Sequence, residues 1–486
     1  MIMNSIKTDC VVLGAGPGGY AAAFYAADCG KKVILVDKDE KLGGVCLNRG
    51  CIPSKALLHA TKYILEAANS EKRGIHFEKP VIQLDTLREW KNGIIAKLAN
   101  GIKTIGTKRG VEILHGRGYF EDSHTLRVET TEGQKFIQFE NAIIAVGSRP
   151  ALPSAFDLGN PRIITSTEAL NLEDIPENLL IVGGGYIGME LGTVYAALGS
   201  RLVVVEALDT LLFGADPDLV RPVLKHAQKL FKEIRLNTKV LKMATSGKQI
   251  RVTMETQGKE MEEIYDQVLV AIGRTPNSMD LGLENTRIER DEKGFIRVND
   301  RCQTTDPGIY AIGDIVGGAL LAHKAAKEAR VAVESIVGEE STFKNIIIPC
   351  VVFTHPEVAW CGLTETEAKA KGIKIEVSRF SWAASGRALA IDKPEGLTKL
   401  IIDPETERIL GMGIVGENAG DLISEGVLAV ECGLTAKDIA LTVHPHPTLS
   451  ETVMETAEVF YGLSSHAISL KREPLSEKQE IPILRE

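Results

Sequence analysis

The chain carries no excess of positive charge: 56 lysines and arginines stand against 65 aspartates and glutamates, a formal net charge of −9. Without a basic face, nucleic acid is not an expected partner. No run reaches the ~18 apolar residues of a membrane span, so no membrane segment is expected either. Met1 to Cys10 contain no apolar signal core and pass straight into a strand pattern, so no export signal is read there. Cysteine is sparse, 8 in 486 residues, too thin for a disulfide scaffold. No metal-like spacing links Cys10, Cys29, Cys302, Cys350, Cys361 and Cys432, which read as packing residues, and no metal is expected. These absences suit a reducing cytoplasm, where a disulfide is more often catalytic than structural. What remains is an ordinary globular composition, 44% hydrophobic and 25% charged, in a chain long enough for roughly three or four domains.

Glycine provides the first positive signal. The strand pattern Thr8–Leu13 runs into Gly14-Ala15-Gly16-Pro17-Gly18-Gly19, then a helix over Ala21–Cys29 and a strand over Lys32–Asp37. This is a βαβ unit with G-x-G-x-x-G at Gly14, Gly16 and Gly19. The glycines let a pyrophosphate approach the helix N-terminus, where free N–H groups and the dipole favour an anion. Asp37, ending the second strand, suits a ribose hydroxyl. The pattern recurs as strand Leu179–Val182, Gly183, Gly185 and Gly188, helix Met189–Leu198 and strand Arg201–Glu206. Glu206 follows Gly183 at the distance at which Asp37 follows Gly14, a register two accidents would not share. The chain is therefore expected to hold two dinucleotides. Glu206 is followed by no Arg or Lys through Phe213, so a free 2′-hydroxyl is favoured over a 2′-phosphate, and NAD over NADP.

Directly after the first unit come Cys46 and Cys51 in Gly43-Gly44-Val45-Cys46-Leu47-Asn48-Arg49-Gly50-Cys51-Ile52-Pro53-Ser54-Lys55. On an ideal helix five residues rise about 7.5 Å, near or beyond the roughly 7 Å Cα limit for a disulfide. Bridging requires distortion, which Gly50 and Pro53 can supply. Alone, the pair reads equally well as two buried free thiols. Beside a nucleotide loop it points to a flavin, the carrier that exchanges electrons with both a nicotinamide and a dithiol. Two matched strand exits, Val146-Gly147-Ser148-Arg149-Pro150 and Ile272-Gly273-Arg274-Thr275-Pro276, read as crossings between domains. Strand Ile309–Ile312 ends at Asp314, and Leu320, Leu321, Ala322 and His323 open a helix.

From about Phe343 the nucleotide pattern stops. Ile346–Phe353, Leu397–Ile402 and Ile409–Val415 read as strands, and Leu422–Ala429 and Ala436–Ala440 as helices. The segment ends at His444-Pro445-His446-Pro447-Thr448-Leu449-Ser450-Glu451 and a helix through Phe460. The polar tail 471–486 reads as poorly ordered or an attachment arm. The expected fold is α/β: two Rossmann-like dinucleotide-binding domains plus a C-terminal α+β interface domain. Its expected boundaries are 1–150 (FAD, first part), 151–270 (NAD), 271–345 (FAD, continued), 346–470 (interface) and 471–486 (tail).

In motif order, from about Asp9 to Leu463, these residues resemble the FAD-dependent pyridine nucleotide–disulfide oxidoreductases, and within them the lipoamide branch, whose Cys-x4-Cys is followed by Ile52-Pro53-Ser54-Lys55. The sequence departs from the common pattern at Val45, Arg49 and Pro445. The resemblance implies NAD⁺-linked oxidation of protein-bound dihydrolipoamide to lipoamide through FAD and a redox-active disulfide. It implies a homodimer serving the lipoyl domains of 2-oxoacid dehydrogenase complexes, and by extension the glycine cleavage system. By the same resemblance Cys46 attacks the substrate and Cys51 faces the flavin. His446, oriented by Glu451, is the base and reaches the disulfide of the other subunit. Lys55 and Glu190 pair beside the flavin. Gly43, Gly44, Gly118, Gly147, Asp314 and Leu320 to His323 line FAD, while Val240 and Gly273 border NAD. Rival readings are a glutathione or mercuric reductase and a catalytically silent FAD-bound subunit. No cysteine follows Cys432, no cation follows Glu206, and Cys46, Cys51, His446 and Glu451 are all intact, which weighs against each of these.

Overall fold

The structure is a computed structural model that describes residues 5–468; the expected tail 471–486 lies outside them. Its residues fall into two bodies. One comprises residues up to Asp209 together with Phe231–Ile346, and the other comprises Thr210–Leu230 and the chain from Ile347 onward.

In the first body, Ser5–Leu13 (β1), Pro17–Asp28 (α1) and Val33–Asp37 (β2) form the βαβ unit read from the sequence. Then come Gly44–Arg49 (α2), Cys51–Asn69 (α3) and Leu84–Lys108 (α4). Glu112–His115 (β3), Arg117–Asp122 (β4), Thr125–Thr130 (β5) and Gly133–Ile144 (β6) follow. The strand order is β3-β2-β1-β6-β5-β4, with β1 parallel to both β2 and β6. Val11, Val12, Ile34 and Leu35 are wholly buried, as strands covered on both faces must be.

Ser148–Pro150 (β7), Ile163–Ile164 (β8), Ser166–Asn171 (α5), Asn178–Val182 (β9), Tyr186–Leu198 (α6) and Arg201–Val205 (β10) lead into the second nucleotide unit. After an excursion through Pro217–Leu230 (α7), the chain returns as Glu233–Arg235 (β11), then the antiparallel meander Thr238–Ser246 (β12), Gln249–Thr256 (β13) and Lys259–Tyr265 (β14), and Gln267–Val270 (β15). The sheet β11-β10-β9-β15-β8 is parallel throughout. Arg274–Pro276 (β16) pairs antiparallel with β7, so the two matched strand exits meet as a ribbon. Ile309–Ala311 (β17) joins the first sheet beside β6, and Ala322–Ile336 (α8) follows.

The second body is an antiparallel sheet, Cys350–Val352 (β18), Glu357–Gly362 (β19), Ile409–Gly416, Leu397–Ile402 and Glu376–Ser381 in spatial order. In chain order its later elements are Glu365–Lys371 (α9), Glu376–Ser381 (β20), Gly386–Ala390 (α10), Leu397–Ile402 (β21), Ile409–Gly416 (β22), Ala419–Glu431 (α11), Ala436–Leu441 (α12) and Glu451–Tyr461 (α13). The strand expected over Ile346–Phe353 shrinks to three residues, because only these find antiparallel partners on β19. Helix α7 belongs to this body: its Leu219 packs so closely that a Cβ on Gly413 would lie 2.6 Å from it. Lys399 on β21 is buried and reaches Asp216, Asp218 and Glu365 at 2.7 Å each. Among the described residues no helix is long and apolar enough to cross a membrane.

Candidate active site

Both glycine loops have the same construction. At Gly14 the backbone is left-handed (φ 101°), and a Cβ would fall 2.4 Å from the Ala145 carbonyl oxygen. At Gly19 it would fall 1.7 Å from Gly14 O, so helix and strand can approach only as glycine. Gly183 and Gly188 repeat this at 2.4 Å from Ala271 O and 2.1 Å from Gly183 O. Gly16 and Gly185, at the helix N-termini, have nothing within 4 Å of a built Cβ. These are cradles with an open anion position over free N–H groups. Asp37 accepts from Ala15 N and Asp39 N, and Glu206 from Gly184 N (2.7 Å) and Leu208 N (2.9 Å). Burial pushes the Asp37 carboxyl up, against the pull of the two amides.

The first loop opens into a cavity of about 590 Å³. Gly14, Gly16, Asp37, Gly44, Cys46, Cys51, Lys55, Gly118, Gly147, Glu190, Asp314, Leu320 and Ala322 line it, all of them residues singled out from the sequence. Gly19, Gly43, Leu321 and His323 are not on its wall, nor are Gly183, Gly185, Gly188, Glu206, Val240 and Gly273, which belong to the second nucleotide unit. Val240 is half-buried and packs against that unit's core, whereas Gly273 is exposed with a left-handed backbone (φ 132°). Gly43 is the left-handed N-cap of α2 (φ 108°), and its N–H donates to Ala15 O. Gly44 lies so near the loop that a Cβ would sit 2.6 Å from Gly16 Cα.

The cysteine pair sits at a helix break. α2 ends and α3 begins at Gly50, whose backbone (φ −152°, ψ −111°) is not helical. A Cβ there would come 3.0 Å from the Val45 carbonyl. Pro53 falls in the first turn of α3, where its missing N–H would have been unpaired in any case. Leu47 anchors the turn against Ile95 and Ala99 of α4. Asn48 Nδ2 donates to the carbonyls of Lys41, Leu42 and Gly44, and Arg49 pairs with Asp39 at 2.6 Å. Both sulfurs are free thiols here, and a hydrogen bond from Cys46 is the main reason that Cys51 falls from 9.0 to about 7; burial opposes it and Lys55 assists. Cys46, as the donor, is pushed up. The Cys46 thiol thus favours the thiolate of Cys51.

Lys55 on α3 meets Glu190 on α6 at 2.7 Å, with the Glu190 side chain 4% exposed, so this is no solvated surface pair. In the second body, His446 Nδ1 lies 2.8 Å from Glu451 Oε1. Burial tends to raise the Glu451 carboxyl, but the Thr448 N–H and His446 hold it below the usual range. His444, two residues earlier, is engaged elsewhere: its Nε2 meets Glu425 at 2.8 Å and its Nδ1 the Thr442 carbonyl.

Among the cavity residues that sequence reasoning missed are Ser148, Arg274 and Tyr186. Ser148 donates to the Asp314 carboxylate and in turn accepts from Arg274 Nε at 2.6 Å. Tyr186, which follows Gly185 on the second glycine loop, also lines the cavity. Matched Arg-Pro exits were the available signal, but only pairing of β7 with β16 reveals that Arg274 turns inward. Arg149 instead donates to Pro276 O and Asn277 Oδ1.

Two dinucleotide cradles and a dithiol on the wall of one of them define an oxidoreductase that moves electrons between a nucleotide and a sulfur pair. The chain belongs to the pyridine nucleotide-disulphide oxidoreductase family, whose model matches residues 8–329 and whose dimerisation domain matches residues 348–457. It is 49% identical over 460 residues to the dihydrolipoyl dehydrogenase of Haemophilus influenzae, covering 94% of this chain and 96% of that protein. To the dihydrolipoyl dehydrogenase of Geobacillus stearothermophilus it is 44% identical over 465 residues, covering 96% and 98%. Among solved structures it is similar to LpdA of Mycobacterium tuberculosis (TM-score 0.86, 27% identity, 94% of this chain and 99% of that one). It is also similar to the Cu(II) complex of the HOCl-induced flavoprotein disulfide reductase RclA of Escherichia coli (TM-score 0.83, 27% identity, 93% and 99%). FAD and NAD are the family's cofactors, and the two cradles fit them.

Proposed function

We propose that the protein oxidises protein-bound dihydrolipoamide to lipoamide with NAD⁺, as a homodimer serving the lipoyl domains of 2-oxoacid dehydrogenase complexes and the glycine cleavage system. The observation that carries this reading is the cysteine pair on the wall of the first nucleotide cavity, together with the dihydrolipoyl dehydrogenases that match almost the whole chain. Gly14, Gly16, Gly19, Asp37, Gly44, Gly118, Gly147 and Asp314 hold FAD, while Gly183, Gly185, Gly188 and Glu206 hold NAD. When bound, FAD supplies an electron carrier between the dithiol and NAD⁺.

A lipoyl thiolate attacks the Cys46 sulfur of the Cys46–Cys51 disulfide, forming a mixed disulfide and releasing Cys51 as thiolate. The second lipoyl sulfur then closes the lipoamide ring and expels Cys46. Substrate loses two electrons and two protons; the electrons rest on the Cys46–Cys51 dithiol and end as a hydride on NAD⁺. His446, steered by Glu451 at Nδ1, accepts one proton at the cysteine pair of the other subunit, and the other proton stays on the Cys46 thiol. The Cys46 hydrogen bond, assisted by Lys55, favours the Cys51 thiolate, and Glu190 keeps Lys55 in place. The test is steady-state turnover of dihydrolipoamide with NAD⁺ against oxidised glutathione with NADH, for the wild type and Cys51→Ser. Wild type should favour the first reaction strongly, and Cys51→Ser should lose it. Appreciable turnover by Cys51→Ser, or a preference for glutathione, overturns the proposal.

A further inference from the structure

Behind Asp314 lies a charge pair that the reaction scheme leaves unused. Lys324 and Glu328 stand one turn apart on α8, 2.7 Å between charges, each side chain 5% exposed. Lys324 Nζ donates to two further acceptors, the carbonyls of Gly313 (3.2 Å) and Gly317 (2.9 Å). Glu328 Oε2 accepts the Gly313 N–H at 2.7 Å. Both polar backbone groups of Gly313 therefore end on this pair, and Gly313 is the residue before Asp314. Gly313 and Gly317, with φ of 79° and 78°, open and close the short turn that presents Asp314 to the cavity. Lys324 grips the turn at both ends.

Stability alone does not account for these charges. Burying two ions costs about as much as their attraction returns, and apolar side chains of similar volume commonly hold a fold as well. An ammonium and a carboxylate offer what apolar groups lack, namely hydrogen bonds of fixed direction to a particular peptide unit. The far side of Asp314 is fixed separately, by Ser148 and Arg274. The pair on α8 thus sets the backbone while the ribbon sets the side chain.

We propose that Lys324 and Glu328 are positioning residues for Asp314, locking the Gly313–Gly317 turn so that its carboxylate is held at the wall of the cavity that would take the flavin. This rests on reading the first cavity as the flavin site. Neither residue touches the nucleotide in this scheme; both act through Asp314.

The experiment compares purified holoenzyme with the variant K324M/E328Q, which removes both charges together and so leaves no lone buried ion. Three quantities are read: the rate of flavin release, the midpoint potential of the bound flavin, and the urea midpoint of the flavin-free protein. Release should be about tenfold faster, the worth of roughly one hydrogen bond, and the potential should move, while the flavin-free urea midpoint stays put. K324R, which keeps donors in reach of both carbonyls, should recover most of the loss. Unchanged release and potential would overturn the proposal, as would a fall in the flavin-free urea midpoint matching the faster release. Should the double variant not fold, K324M alone serves, since it removes both carbonyl contacts of the turn while the Glu328 carboxyl still accepts from Gly313; wild-type release and potential there would again refute it. A wild-type protein that never holds flavin would instead overturn the reading of the cavity, a distinct failure.

Discussion

Replacing Cys46 by alanine should switch off the thiolate at Cys51. The hydrogen bond from Cys46 is the largest influence bringing Cys51 from 9.0 to about 7, ahead of burial, which works against it, and of Lys55, which helps. With that bond gone, burial is left to cancel Lys55, and the thiol returns to about 9.0 or above. Near neutral pH the thiolate fraction then drops from about one half to about one in a hundred, a roughly 50-fold fall. Cys51 opens onto the cavity, so water screens part of the effect, and about tenfold is the least we expect. Iodoacetamide alkylation, followed peptide by peptide because Cys29 and Cys432 are also exposed, gives the reaction midpoint of Cys51 directly. In Cys46→Ala no disulfide can form, so no reductant is needed; the wild type is first reduced with NADH. A Cys46→Ala midpoint still near that of wild type would show that Lys55, not the neighbouring thiol, sets the charge. Lys55→Met in the same assay would then carry the shift.

Gly19→Ala places a methyl group 1.7 Å from Gly14 O and should cost about 1–3 kcal/mol in denaturant titrations, with loss of bound flavin. Gly188→Ala, at 2.1 Å from Gly183 O, should keep the yellow flavin and weaken NADH binding, which calorimetry can separate. Removing the carboxylate with Glu206→Gln should narrow the preference for NADH over NADPH in kcat/KM, since a charge facing the 2′ position is lost. Lys399→Met leaves the buried Asp216 without its cation, since Arg379 reaches only Asp218 and Glu365, and should destabilise by about 3–5 kcal/mol in urea. The Glu425 hydrogen bond raises His444 above 6.5, with burial opposing. That stabilisation is complete below 6.5 and fades as pH rises through the folded value. Chemical denaturation across that window should show Glu425→Gln flattening the wild-type decline.

Sequence legibility followed steric necessity. Gly14, Gly19, Gly183 and Gly188 carry their spacing because a Cβ at any of them would strike a carbonyl oxygen, and Asp37 and Glu206 close the same turn in both units. The break at Gly50 was legible for a related reason: only glycine and proline disturb a helix so locally. Matched strand exits were visible too, but not that β7 and β16 pair with each other. Where meaning depended on partners distant in sequence, periodicity was silent. Nothing in Pro217–Leu230 tells that its acidic neighbours await a lysine on β21. Lys324 and Glu328 look like any helix-surface pair until their burial is seen. His323 follows Ala322 of the cavity wall yet is not part of it, since a helix turns successive side chains about 100° apart; Leu321, the extended N-cap of α8, is not part of it either.

The excursion of α7 bears on how this protein can be taken apart. A truncation stopping near Ile346 looks natural on paper, yet it would strand an amphipathic segment whose apolar stripe and whose Asp216 and Asp218 both answer to residues further along the chain. Such a fragment would present greasy surface and uncompensated acid together, a recipe for clumping during expression. A cleaner dissection would also excise Thr210–Leu230 and bridge the gap with a short flexible linker.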